Sequence, residues 1–548
     1  MNTKLINKKL ALLTAGVIAA AGLALVPSTA SAAPVCATAN YIESCGGVTS
    51  DGGKYATMVP ANFNGTMFIY SHGYRYNQDV PFAGYAVSMV TNNPAPAPMP
   101  GGATDKAVIT YLLSNGYGIA GSAYKTQGWN AQEAVAADVE LIKTFKEKYP
   151  NTKKVIAWGE SLGGFITQAL AEQHPELVDA AGLICPALGD VRAELQNAGD
   201  ALWGLKTFFD PTIKGHGYSA GAAGDTEALV DLGKIVAVAT ALKSAISTNV
   251  WPDSSGAAGK ALAAIPPRSA LLLVGLMAGV PTKSAHFDST TGPGSKNSAA
   301  YTSFATAGAP ALAVLENIAQ SAGLAVLATR DIEARTGGAF YDNSKTDYAA
   351  RIADDLTTYN AALSGNTAIN GMLAFINPAN PAAPRFKGDA AAMDKLAGFM
   401  KNTGKINVPT VSLHGTADPA VPAGNTQWLV DQYAAQWEAA KAAAVAKAAS
   451  SGKWSAPKQK FVALWNNPPT SYTKFFSDGT PDVSGPAVTG TNHYNYTAAQ
   501  LSAFAQILVN AATNGHVQPD GTFRGLGRKA GGIVDSSYRA PMLPYYQK

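Results

Sequence analysis

Charge is scarce in this 548-residue sequence and cysteine scarcer still: 14% of the residues are Asp, Glu, Lys or Arg, the formal net charge is +4, and there are three cysteines. No long basic block occurs, so the electrostatic footprint of a nucleic-acid binder is missing, and the expected partners are small, neutral or apolar molecules. H-E-x-x-H, paired C-x-x-C and G-x-x-x-x-G-K-[ST] are missing too. Zinc hydrolysis and P-loop chemistry therefore lack their carriers, and neither a metal nor a cofactor is expected. A glycine-rich run, "GLGRKAGG", neither follows a strand pattern nor opens a helix, so a nucleotide-binding reading fails on context. No repeat of fixed period stands out.

What is present begins with an export signal. "MNTKLINKK" is a charged start, "LALLTAGVIAAAGLALV" an apolar run, and "ASA", ending at Ala32, a small-residue cleavage site. That run falls short of the ~20 residues a membrane span needs. Residues 1–32 are thus expected to be a signal peptide and the protein to be secreted, extracellular or periplasmic, with no stable membrane span after cleavage. In such an oxidising compartment Cys36 and Cys45, nine residues apart, are expected to form a local disulfide. Cys185 ends the apolar run "AAGLICP" and reads as a buried core thiol.

With 47% hydrophobic residues the chain is globular and long enough for one large core with an insertion, or for two domains. From Thr66 short apolar runs alternate with helical patterns, which predicts a mostly parallel sheet flanked by helices. "TMFIYSHG", "YGIAGSAY", "KKVIAWG" and "LVDAAGLICP" read as strands, and Val135, Val139, Ile142 and Phe145 fall at helical spacing. Right-handed crossovers would bring the loops after these strands to one rim. The rhythm breaks after Pro186 and resumes near "INVPTVSLHGTADPAVP". Between Ser161 and Asp418 roughly 190 residues exceed what a helix, a strand and a crossover need at ~30 residues per unit. They are rich in Ala and helical in pattern, so 188–403 is expected to be a helical cap over the rim. The core would then comprise 33–187 and 404–515, and 516–548 would be a tail wrapped on the surface. Two runs, "KQKFVALW" and "TSYTKFF", compete for the last strand.

"VIAWGESLGGFITQAL" passes from strand formers through a glycine pinch into a helix, and "GESLGG" satisfies G-x-S-x-G in the right context. So sharp a turn strains the serine, and Gly159 and Gly163 leave room for strand and helix to approach. Ser161 would project over the positive end of the helix dipole as a nucleophile. A serine hydroxyl needs a histidine base and an acid that orients it. His72 precedes the serine, His174 caps the next helix, His216 and His286 fall in the insertion, and His414 lies at a strand end. Of the remaining two, His493 in the turn before a helix starting near Thr497 is favoured over His516 in the loop beyond it. Asp418 in "HGTADPAVP" follows an apolar strand and is the candidate acid, against a plain Asx-turn role.

The order Ser161, Asp418, His493 and the "GESLGG" elbow resemble the α/β-hydrolase superfamily over roughly residues 60–190 and 405–515, in the form of a secreted serine hydrolase. The resemblance implies that His72 and Gly73 shape an oxyanion loop and that the N–H groups of Tyr74 and Leu162 bind the oxyanion. It further implies hydrolysis of a small or polymeric carboxylic ester; substrate specificity is not part of the resemblance, and it is the apolar, alanine-rich insertion that would suit a hydrophobic or aromatic acyl group, unless its helices only pack their own core. A peptidase with the same triad is the nearest alternative; its cap would present an acid such as Glu227, Asp331 or Glu333 to the substrate amine. A non-catalytic binding protein on the same fold is the other.

Overall fold

A computed structural model describes residues 34–97, 103–518 and 538–547; the expected signal peptide lies outside them. One nine-stranded sheet organises the chain, in the order β1-β2-β3-β5-β4-β6-β7-β8-β9. Its strands are β1 Val35–Ala39, β2 Ile42–Val48, β3 Lys54–Pro60, β4 Thr66–Ser71, β5 Gly118–Ser122, β6 Lys154–Glu160, β7 Ala180–Ile184, β8 Thr410–Gly415 and β9 Phe461–Asn466. The first three strands pair antiparallel and β3 meets β5 antiparallel. From β5 through β4 to β9 every pairing is parallel. The sheet is thus mostly parallel, as the alternating pattern requires. "KQKFVALW" supplies the edge strand β9, whereas "TSYTKFF" contributes a single bridge, Phe475 to Pro481.

Alternation along the central strands builds two cores, because successive side chains leave opposite faces of a sheet. Met67, Ile69, Val155 and Ala157 pack with the apolar faces of helices Ala131–Lys148 and Leu162–Gln173. Phe68, Tyr70, Ile156 and Trp158 pack with residues of Ala103–Ser114 and Ala498–Asn514 on the other side. Thr497 starts the latter with a capping box to Gln500, so the helix begins one residue from where its pattern places it. Cys36 faces Cys45 across the β1–β2 pair and is disulfide-bonded to it.

Between β7 and β8 the described chain is helical, with no strand. Val191–Phe208, Ala222–Thr248, Pro267–Met277 and Ala309–Thr336 share a core of their own, in which Leu202, Leu271, Val274, Val314 and Val326 are fully buried. The helical run Ala299–Thr336 is long and apolar enough to cross a membrane, yet 61% of its most apolar window is buried inside the molecule. Its apolar character serves this packing. Within the tail, residues 538–547 lie back on the surface: Leu543 is buried, and the Tyr546 hydroxyl accepts a hydrogen bond from the Asp190 N–H at 2.8 Å.

Candidate active site

β6 ends at Glu160, and the next residue reverses the chain into helix Leu162–Gln173. Ser161 carries φ 54° and ψ −122°, a conformation that costs a non-glycine residue of order 1–3 kcal/mol. The turn is held by backbone bonds: Ser161 N–H donates to Ile184 O at 3.0 Å, and Ser161 O accepts from Gly164 and Ala187. The flanking glycines are dictated by contact. A Cβ on Gly163 would stand 1.9 Å from Ser71 O, and one on Gly159 would stand 2.3 Å from Gly163 O. β4 and the helix can therefore approach only without side chains at these positions.

His493 Nδ1 donates to Asp418 Oδ2 at 2.7 Å. Asp418 is fully buried after β8, and its other oxygen accepts the N–H groups of Ala420 and Val421 at 2.9 and 3.0 Å. Those bonds hold the carboxylate in its tight turn, so the Asx-turn geometry and the hydrogen bond to His493 coexist on one residue. His493 sits between Asn492 and Tyr494, both at positive φ (60° and 65°), in a sharply bent loop that keeps one side of the ring partly open. The Tyr494 ring packs against His493 with centroids 4.0 Å apart, and its hydroxyl is buried beside Gly73 and Ser161 without a well-formed hydrogen bond. His493's neighbour and the serine thus share the wall formed by Gly73. His516 is elsewhere, exposed and bonded to Asn514 O.

The loop after β4 carries His72, Gly73 and Tyr74. His72 Nδ1 lies 2.7 Å from Gly73 O, and Nε2 lies 3.3 Å from Ala123 O. Burial, reinforced by Arg75, holds this imidazole well below its usual range, so it is neutral and braces the loop with one proton. Beneath it Asp138 accepts bonds from Ser71 and Tyr124, and burial raises its carboxyl to about 7. Among the described residues neither the Tyr74 nor the Leu162 N–H has a hydrogen-bond partner. Leu162 opens its helix, where such donors have no intrahelical acceptor.

A cavity of about 100 Å³ opens at Ser161 between the sheet rim and the helical insertion, walled mainly by apolar side chains from both. None of the three acids considered for a substrate amine lines it. Asp331 accepts from Tyr74 Oη, Asn77 Nδ2, the Trp129 N–H and Arg335, tying the insertion to the core. Glu333 accepts the Gly217 and Tyr218 N–H groups, and Glu227 binds Lys214 and Ser219. The acid that does line the cavity is Glu194, with Asn197 beside it. Sequence reading missed both, since one turn of a helix in the insertion carries no motif.

Two clusters of metal-ligating types occur among the described residues. Cys36, Glu43 and Cys45 have both sulfurs in the disulfide. Cys185 stands with Asp418 and His493, but burial pushes its thiol well above its usual range, and the His493 Nδ1 is committed to Asp418. A neutral thiol and an occupied nitrogen are poor ligands. The sequence expectation of a buried thiol describes Cys185 correctly, without its place behind this pair.

The family described as alpha/beta hydrolase fold matches residues 109–217, a segment that contains the serine elbow. The nine-stranded mixed sheet with its flanking helices is an alpha/beta hydrolase fold. No curated protein matches the chain. Among solved structures, feruloyl esterase B from Aspergillus oryzae is similar at 13% identity and a TM-score of 0.34, covering 82% of this chain and 73% of that one. A second esterase from Aspergillus oryzae is similar at 12% identity and a TM-score of 0.33, covering 77% and 71%. The rice cell wall degrading esterase LipA from Xanthomonas oryzae is similar at 10% identity and a TM-score of 0.28, covering 78% and 82%. Likenesses this loose place no individual residue.

Proposed function

We propose that this chain is a secreted serine hydrolase that cleaves carboxylic esters through an acyl-enzyme on Ser161. The observation that carries the proposal is the 2.7 Å hydrogen bond from His493 to the buried Asp418, on the same rim as the strained Ser161. In this reading Ser161 Oγ attacks the acyl carbon while His493 Nε2 takes its proton. Asp418 holds Nδ1–H and stabilises the imidazolium that forms. The free N–H groups of Tyr74 and Leu162 bind the tetrahedral oxyanion; they are rigid and already oriented when charge develops. His493 returns the proton to the leaving alcohol, and water repeats the sequence on the acyl-enzyme.

The helical insertion acts as the cap in this scheme, and its mainly apolar cavity suits a hydrophobic or aromatic acyl group. Export is supported by the N-terminal charge and hydropathy pattern, and the Cys36–Cys45 disulfide agrees with an oxidising compartment. A peptidase reading would assign Glu227, Asp331 or Glu333 to a substrate amine, and all three have their bonding capacity engaged within the protein.

A fluorophosphonate probe applied to the purified protein, followed by assays on p-nitrophenyl esters and peptide anilides, tests the proposal. Labelling should vanish in Ser161→Ala. Turnover should fall by about 10⁴-fold or more in Ser161→Ala and His493→Ala, and by about 10⁴-fold in Asp418→Asn. Labelling that survives Ser161→Ala would end the serine-hydrolase reading, and preference for anilides would move it to peptidase.

A further inference from the structure

Helix Val191–Phe208 presents Glu194, Asn197, Ala198 and Ala201 to the cavity at Ser161. Positions i, i+3, i+4 and i+7 share one helix face. The two alanines leave space, and the two polar residues furnish a hydrogen-bonding spot in an otherwise apolar wall. Asn425 hydrogen-bonds the Glu194 carboxyl, but three polar atoms of that spot lack internal partners. Asn197 is 7% exposed, with neither its Oδ1 nor its Nδ2 hydrogen-bonded, and Glu194 Oε1 is likewise buried without a partner. Such groups give up their hydration with no hydrogen bond in return, so they are an unfavourable way merely to line a cavity.

Resting on the esterase reading above, we propose that Glu194 and Asn197 recognise a hydroxyl group carried by a ring-sized, otherwise apolar acyl part of the substrate. Size supports the ring: the cavity, about 100 Å³, is of the same order as the roughly 150 Å³ pocket that takes up benzene. Position supports the acyl side. Ser161 lines the cavity, whereas His493, which would protonate the leaving alcohol, does not. Chemistry supports the hydroxyl, which can donate to a carbonyl or carboxyl oxygen while accepting from the Asn197 amide, so one group satisfies both residues. A carboxylate would find no cation among the cavity-lining residues. A cation would need an ionised Glu194, but burial, with the charge of Asp418 adding to it, raises this carboxyl to about 8 and keeps it mostly neutral near pH 7.

The test compares p-nitrophenyl 3-phenylpropanoate with its 2-, 3- and 4-hydroxyphenyl isomers on the wild-type protein and on Glu194→Gln, Asn197→Ala and Asn197→Leu. The wild type should favour at least one hydroxy isomer by about tenfold or more in kcat/KM, the discrimination one well-made hydrogen bond supplies. Each Asn197 variant, checked for a cooperative thermal transition, should reduce that preference to about twofold, chiefly through KM. A wild type that hydrolyses all four within about twofold of one another overturns the inference and leaves the esterase reading standing. So does a stronger preference for an aminomethyl-substituted ring, which would make Glu194 a cation partner. If no ester is turned over and no fluorophosphonate adduct forms, the esterase reading falls, and this inference with it.

Discussion

Two glycines beside Ser161, the proposed nucleophile, are constrained by different neighbours, and the difference separates stability from the proposed catalysis. A methyl group on Gly163 would meet Ser71 O at 1.9 Å, a backbone atom that cannot give way without moving β4. Gly163→Ala is therefore expected to destabilise the fold by at least about 3 kcal/mol, read as a lowered urea midpoint or as loss of soluble protein. A methyl group on Gly73 would meet the Tyr494 hydroxyl at 2.8 Å and Ser161 Cβ at 3.2 Å, both side-chain atoms at the reacting centre. Gly73→Ala should melt within a few degrees of wild type while losing roughly 10²-fold in kcat and in the fluorophosphonate labelling rate, because a shift of about 1 Å is felt in full by aligned reactants. Equal rates would show that Gly73 does not set the position of Ser161. Residues of this kind were legible in the sequence because their chemistry is local: a strand, a serine between glycines and a helix within sixteen letters. Tyr494 was not. Nothing in "GTNHYNY" shows that the tyrosine after the histidine returns to the serine, since that contact follows from two positive-φ residues in the folded loop.

At the scale of elements, one buried carboxylate, Asp331, joins the helical insertion to the loops after β4 and β5, while Asp288 ties it separately to Tyr472 and Thr473. Asp331, 1% exposed on helix Ala309–Thr336, accepts from Tyr74, Asn77 and the Trp129 N–H and pairs with Arg335, whose Nη2 donates to Gln127 O at 2.7 Å. Burial raises its carboxyl, and Arg335 with the N–H donors pulls it back. Removing one member of a buried pair costs about 3–5 kcal/mol. Asp331→Ala should therefore loosen the docking locally: hydrogen exchange should rise in peptides covering 74–78 and 127–131 while the sheet strands β6 and β8 keep their protection. Unchanged exchange in those two loops would refute the joint. The sheet pattern was readable because central parallel strands, buried on both faces, stand out as short apolar runs between helical patterns. The joint was not, since Asp331 and Tyr74 lie in separate elements brought together by the fold, and an aspartate on a long apolar helix looks the same whether it latches, binds substrate or faces water. The edge strand was ambiguous for a related reason. "KQKFVALW" and "TSYTKFF" are both acceptable strand sequences, and what selects β9 is a six-residue parallel register with β8 that places Asn466 beside Gly415.

Across the whole molecule, buried titratable groups pull stability in opposite directions as pH changes, and the site holds members of both sets. His72, His216 and His414 are buried and held below their usual range, first by burial in each case; His216 falls to about 3. Below about pH 6.5 the unfolded chain binds protons that these folded imidazoles refuse, so they favour folding above that pH and lose stability as pH falls, for His216 down to about pH 3. Asp138, raised to about 7, and Glu194, raised to about 8, act in reverse. Below about pH 4 they are protonated in both states; between pH 4 and 8 the unfolded carboxyls ionise while the folded ones keep their protons, so stability drains away as pH rises. A wild-type stability curve mixes the two sets and isolates neither. Glu194→Gln isolates one, because glutamine fills the same space and does not titrate. The variant's urea-unfolding free energy minus that of the wild type should grow steadily from pH 4.5 to pH 8, and level off above it. Parallel curves across that range would mean that Glu194 titrates as it does in water, so that the cavity wall facing Ser161 is wet and charged and unable to hold a neutral acyl ring by a neutral hydrogen bond.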